Sequence, residues 1–170
     1  MQPDPLLPAE VNLLGPILLQ IALIAVNALF AMTEMACISI NDTKLALLAE
    51  DGNKKAIKLK NLLANPSRLL STIQVAITLA GFLGSAFGAE NLAPILTAWL
   101  LSLGVNMAYA TLNKISVVII TIVLSYFTLV FGELVPKRIG QKYGERIALA
   151  ISGFISGLST VTRPIVWLLS

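Results

Sequence analysis

Apolar residues fall along the chain in three long runs, at about 17–40, 69–88 and 115–135. A helix crosses a hydrocarbon core with roughly 20 apolar residues, so each run predicts a membrane span. The first run is too long for a signal-peptide core and is preceded by Asp4 and Glu10 rather than by Lys or Arg. Between the first two runs the pattern changes. Residues 43–50 and 53–64 mix apolar and charged positions at helical spacing, with Gly52 between them and Asn65-Pro66 at the end. This predicts a helical hairpin over 41–68 at the membrane surface. Residues 91–113 are apolar but interrupted by Pro94, Gly104 and polar side chains, and are expected to form an extracellular cap. A fourth apolar stretch, at about 147–169, contains Gly153, Gly157 and Arg163-Pro164. A juxtamembrane belt helix suits it better than a further span. The predicted fold is an all-α integral membrane domain over 1–170.

Composition agrees with the pattern. Charged residues make up 12% of the chain and hydrophobic residues 56%, against about 25% charged in soluble domains. A soluble enzyme, a disordered tail and a coiled coil are excluded. Twelve Lys/Arg against nine Asp/Glu give a net charge of +3, which in a membrane protein reads as topology rather than as nucleic-acid binding. Lys44, Lys54, Lys55, Lys58, Lys60 and Arg68 follow the first run. Lys137, Arg138, Lys142, Arg146 and Arg163 follow the third, and only Lys114 lies between the second and third. The positive-inside rule places both basic segments in the cytoplasm, the N-terminus outside and the protein in the cell membrane as a multi-pass chain. The hairpin lysines would meet anionic headgroups, so the lipid bilayer is itself a partner. With no His and the single Cys37, a Cys/His zinc site, a haem ligand, a Ser-His-Asp triad and an internal disulfide are excluded. No enzymatic chemistry is expected.

Ionisable residues inside spans are costly and mark functional sites by default. Glu34 in the first span and Glu133 in the third qualify, with no basic residue deep in a span to neutralise them, and Lys137 and Arg138 read as interfacial anchors. Asn27, Ala31 and Glu34 share one helical face, with Thr33 beside it. Thr78, Gly81 and Ser85 share a face of the second span. Ser125, Thr128 and Gly132 share one of the third, with Glu133 next to it. Converging, these stripes would make an oxygen-lined cavity. In Gly132-Glu133-Leu134-Val135-Pro136-Lys137, proline has no N–H, so the Gly132 carbonyl loses its usual donor. A cation held by that carbonyl and the Glu133 carboxylate is one remedy, and oxygen ligands suit hard cations such as Mg²⁺, Na⁺ or Ca²⁺. Ser, Thr and Gly also line ordinary helix contacts in membranes, and Gly84-Ser-Ala-Phe-Gly88 is a GxxxG packing or dimerisation pattern that makes the second span a candidate dimer face.

At these residues the chain resembles the transmembrane domain of the CNNM (cyclin M)/CorC family, which includes the haemolysin-like TlyC proteins. The matching stretches are Asn27-Ala-Leu-Phe-Ala-Met-Thr-Glu34 through Ser39, Asn65-Pro-Ser-Arg-Leu-Leu-Ser-Thr-Ile-Gln74-Val-Ala-Ile-Thr78-Leu-Ala-Gly81, and Phe131-Gly-Glu-Leu-Val-Pro-Lys137. The resemblance covers essentially the whole chain. It implies a homodimer with three spans per subunit and a belt-like juxtamembrane helix. It implies Mg²⁺ efflux driven by Na⁺, with a largely dehydrated Mg²⁺ between the spans near the cytoplasmic side. Carried over by position, the ligands would be Gly132 and Glu133 with Thr78, Gly81 and Ser85. Many members have Ser where this chain has Ala31, and the animal branch has Asn at the positions of Thr78 and Gly81. Asn27, Thr33, Glu34 or Ser39 are therefore further candidate ligands. Family members usually continue into cytosolic CBS domains, so this chain is expected to be the membrane part of a longer protein.

Two functions compete on these grounds. One is a Mg²⁺ exporter whose spans tilt about Gly81, Gly132 and Pro136. The other is a membrane-anchoring dimerisation domain that regulates other ion transporters through its cytosolic part. The spans are too apolar to line a wide pore, and the absence of paired aspartates within them argues against an intramembrane protease.

Overall fold

The computed structural model describes residues 13–161 of the chain. In order, the elements are α1 (Leu14–Ile38), α2 (Asp42–Glu50), α3 (Lys54–Leu63), α4 (Pro66–Ser102), α5 (Tyr109–Leu129), a π-helical segment (Val130–Leu134), α6 (Val135–Lys142) and α7 (Gly144–Val161). The fold is all-helical among the described residues. Three helical runs are long and apolar enough to cross a membrane: Leu14–Ile38, Leu69–Ser102 and Tyr109–Lys142. Their outward surface carries large apolar side chains such as Leu14, Phe82, Ile122 and Tyr126, each more than 60% exposed. A continuous apolar surface of that kind is a membrane-facing surface.

Two boundaries differ from expectation. The second run does not stop near Gly88. It continues as one helix to Ser102 with Pro94 inside, so the separate cap expected over 91–113 is absent. Proline removes one backbone donor, but the flanking sequence stays apolar and helix-favouring. Thr97 Oγ1 donates to the Ala93 carbonyl at 2.8 Å and contacts Asn113 Oδ1 of α5 at 3.1 Å, which ties the far end of α4 to α5. Leu103 to Ala108 then turn the chain, with Gly104 at φ +87°. The third run likewise continues unbroken to Lys142.

The hairpin follows its sequence signals. Asn41 Oδ1 accepts from the Lys44 N–H and caps α2, and Asn53 Oδ1 accepts from the Lys55 and Ala56 N–H groups and caps α3. Gly52 takes φ +82° between them, a left-handed turn suited to glycine. Pro66 sits in the first turn of α4, where its missing N–H costs nothing. Leu45, Ala56 and Leu59 of the hairpin bury against Phe30, Ala36 and Cys37 of α1, Leu69, Ile73 and Ile77 of α4, and Ala148 of α7. This core fixes one end of the span bundle. The start of the expected juxtamembrane helix is α7. Its residues 162–169, with Arg163 and Pro164, lie outside the described residues.

Glycines set how closely the spans approach. A Cβ at Gly140 would collide with the Met32 carbonyl oxygen, and one at Gly144 with Ser39 Oγ. Both lie on the α6–α7 side and press against α1. Gly84 and Gly88 face Gln20 of α1, and Gly88 also faces Leu124 of α5. The GxxxG of the second span therefore serves packing within one chain.

Candidate functional site

The three spans line an open cavity of about 330 Å³. Its polar lining comes from all of them: Asn27 of α1; Gln74, Thr78, Gly81 and Ser85 of α4; Ser125 and Thr128 of α5; and Glu133 of the π segment. The oxygen-bearing stripes read from sequence thus converge. Gln74 was not anticipated. It lies one turn before Thr78 on the same face, and that periodicity would have found it.

The π segment decides which residue of Gly132-Glu133 enters the cavity. A straight α-helix places residue i+4 above residue i, which puts Gly132 above Thr128. The wider π turn bonds i to i+5, as Val135 N–H does to the Val130 carbonyl. Glu133 then takes the place above Thr128 and lines the cavity, while Gly132 turns inward and is buried. Pro136 is the local cause, because it cannot supply the N–H that the Gly132 carbonyl expects.

That carbonyl takes a protein donor. Asn27 Nδ2 donates to it at 3.3 Å. Glycine eases the approach, since a Cβ at 132 would stand 3.0 Å from Asn27 Nδ2 and crowd the amide. The bond also orients the Asn27 amide. A carbonyl can only accept, so the NH₂ must face it. Asn27 Oδ1 is left buried with no donor, on a residue 3% exposed that lines the cavity. Thr78 Oγ1 donates its proton to the Gln74 carbonyl at 2.9 Å, which leaves oxygen lone pairs free as acceptors. Among the described residues no three of His, Cys, Asp and Glu gather. A cation in this cavity would rest on neutral oxygens and the Glu133 carboxylate.

The two intramembrane acids already have a cationic neighbour, contrary to the sequence reading. Lys137 Nζ lies 2.7 Å from Glu133 Oε1 and 3.3 Å from Glu34 Oε2. Lys137 is thus an ion-pair partner rather than a free interfacial anchor. The pair with Glu133 follows i,i+4 helical spacing, a signal the sequence offered. The contact with Glu34 is long, and Glu34 Oε2 has no hydrogen-bond donor although it is buried. Two carboxylates against one ammonium leave one negative charge in excess.

Other candidate ligands lie elsewhere. Thr33 is 1% exposed, and its hydroxyl bonds the Leu29 carbonyl at 2.6 Å. Ser39 donates to the Met35 carbonyl at 2.7 Å and contacts the Gly140 carbonyl at 3.4 Å, sealing α1 to α6. Glu34 meets the site only through Lys137. Gly132 is adjacent to the cavity, and its carbonyl is engaged by Asn27. Of the expected set, Asn27, Thr78, Gly81, Ser85 and Glu133 are together.

Three apolar helical runs around a cavity with polar groups in its lining, beside a half-buried charge cluster, define a multi-span membrane protein. The family model for the cyclin M transmembrane N-terminal domain matches residues 18–170, and the chain belongs to that family. It is 34% identical over 147 residues to a UPF0053 protein of Synechocystis sp., covering 86% of this chain and 32% of that protein. It is 30% identical to the UPF0053 inner membrane protein YfjD of Escherichia coli, over 85% of this chain and 30% of that one. It is 27% identical to the polyamine export protein of Haemophilus influenzae, over 92% of this chain and 35% of that one. The chain spans about a third of the length of the curated relatives it matches.

Proposed function

We propose that this domain moves Mg²⁺ outward across the cell membrane, with Na⁺ entry as the driving gradient. The observation that carries the reading is the cavity whose lining combines Glu133 with Asn27, the latter's Oδ1 buried without a donor while its amide is held on Gly132. Mg²⁺ gives up its water reluctantly. At roughly 30 Å³ per water, a cavity of about 330 Å³ has room for the ion with its octahedral water shell, and the hydroxyls of Thr78, Ser85, Ser125 and Thr128 line it as replacements for waters that the ion gives up. Among the described residues no dense acidic cluster lines the cavity, which suits a site that must release its cargo. Gln74, Thr78 and Ser125 line the cavity yet are exposed, and polar side chains facing lipid are unfavourable. A second copy seated over them would remove that cost, and on this ground the domain is read as a homodimer. The positive-inside rule puts the hairpin and the charge cluster on the cytoplasmic side, with CBS domains following in the longer protein.

One contact favours a second cargo. The Lys137 ammonium on Glu133 shows the carboxylate accepting a primary alkylammonium, and some relatives are named polyamine export proteins. The test is thermal stability and calorimetric binding of the purified chain with Mg²⁺, Ca²⁺, Na⁺ and spermidine, for wild type and Glu133→Gln. A ligand bound only by the folded state at about 100 times its Kd adds about 2.7 kcal/mol. The expected result is a Mg²⁺ shift that the variant loses. A spermidine shift with none from Mg²⁺ would move the cargo to polyamines. No shift from any cation would support the anchoring and dimerisation role instead.

A further inference from the structure

The ammonium of Lys137 occupies the carboxylate that an incoming cation needs. We propose that Lys137 is a tethered counter-ion that yields Glu133 to the cargo and withdraws onto Glu34. The proposal rests on the reading of the cavity as a cation site.

The geometry supplies both seats. Glu133 lines the cavity and holds the ammonium at 2.7 Å. Glu34 is outside the lining, on α1, with Oε2 at 3.3 Å from the same nitrogen. That oxygen is buried and has no hydrogen-bond donor. In the present arrangement Glu34 contributes attraction without a directed bond, so it is an acceptor waiting for one. A lysine ammonium is a compact charge with three rotatable donors on a flexible stem. It can swing from one oxygen to the other by side-chain rotation, while Pro136 and Gly140 stay packed in the helix interface.

The exchange has a stated purpose in electrostatics. With no cargo, the ammonium keeps Glu133 from standing as an uncompensated charge inside the membrane, which is the costly condition. With cargo bound, two cations on one carboxylate would repel, and Glu34 receives the displaced one. The cluster of Glu34, Glu133 and Lys137 carries a formal −1, which a monovalent cargo brings to zero and a divalent one to +1. The tethered ammonium lowers the apparent affinity of this seat for every cation by the same factor, the fraction of time for which Glu133 is free.

Equilibrium Mg²⁺ binding by the purified chain tests this with Lys137→Met, Glu34→Gln and the double variant. Removing the competitor is expected to tighten Mg²⁺ binding on the order of tenfold, the scale of one charge-assisted hydrogen bond. Glu34→Gln, which touches no cavity wall, is expected to weaken binding because the ammonium loses its second seat. The double variant should bind as Lys137→Met does, since Glu34 acts only through Lys137. Unchanged or weaker Mg²⁺ binding by Lys137→Met, with wild type binding normally, overturns the proposal while leaving the cation site standing. If Lys137→Met does not fold, Glu34→Gln decides: weaker binding supports the exchange and unchanged binding overturns it. If no variant and no wild type binds any cation, the cation reading falls and this proposal with it.

Discussion

Replacing Gly140 by alanine probes how the charge cluster is held in place. In an isolated helix the change should help, because glycine costs about 1 kcal/mol relative to alanine. Here the new Cβ meets the Met32 carbonyl oxygen, with Met35 Cβ at 3.0 Å and the Met32 carbonyl carbon at 3.2 Å. The obstacle is mostly backbone of α1, which cannot rotate away. Relief requires α6 to move off α1, and overpacking of this kind costs about 1–3 kcal/mol, occasionally more. The same movement stretches the Ser39 contact with the Gly140 carbonyl, now 3.4 Å, which is worth about 0.6 kcal/mol in a membrane bundle. Set against the propensity gain, the expected net loss is about 0.6–2.6 kcal/mol, or a melting point lower by roughly 1–10 °C at the 2–4 °C per kcal/mol of a chain this size. Thermal unfolding in detergent micelles measures it. Gly81→Ala is the control, because nothing lies within 4 Å of its Cβ and only the propensity gain remains. A Gly140→Ala protein that melts at or above wild type, alongside a normal Gly81→Ala, would refute the steric argument.

Asn27→Leu should separate stability from binding. It loses a 3.3 Å bond to Gly132 but also removes a buried oxygen without a donor, so the melting point should change by less than the equivalent of about 1 kcal/mol while Mg²⁺-dependent stabilisation disappears. Gln20→Leu should raise the melting point, since both amide atoms of this buried residue lack partners at the α1–α4 crossing and each such atom costs about 1–3 kcal/mol; a fall would mean that a bound water or ion satisfies the amide. Asn53→Ala removes two N-cap bonds from α3 and should destabilise the hairpin by about 1 kcal/mol, seen as faster amide exchange at Lys55 and Ala56.

Much of the architecture was legible because a membrane makes hydrophobicity a length code. The three spans, the hairpin with its glycine break, and the polar faces of α1, α4 and α5 could be read from spacing alone. The extension of α4 past Gly88 could not, because Pro94 reads as a breaker whereas packing against α5 carries the helix through it. The π turn was equally hidden. Pro136 signalled a free carbonyl, but it did not say that the repair would be an i+5 turn with an asparagine donor from α1. The role of Lys137 was missed because its neighbour Arg138 and its place after the third run made both look like interface charges. Its i,i+4 relation to Glu133 was visible, but the reach to Glu34 depends on how α6 packs on α1. Gly140-Gln-Lys-Tyr-Gly144 was a second small-residue pair, overlooked because it lies in a charged stretch.

At 37 residues and about 1.5 Å each, α4 is a rod of about 55 Å, whereas a bilayer offers roughly 30 Å of hydrocarbon and 40–45 Å with its headgroups. Such a rod must lean or protrude, and how far it leans depends on the thickness around it. The same rod carries Gln74, Thr78, Gly81 and Ser85 on one wall of the cavity, and the hairpin core grips it only near its start, at Leu69, Ile73 and Ile77, while the facing walls belong to runs of 25 and 34 residues. A thinner bilayer therefore tips one wall against the others. The lipid composition of the membrane becomes a mechanical input to the shape of the site, acting at a distance from any ligand.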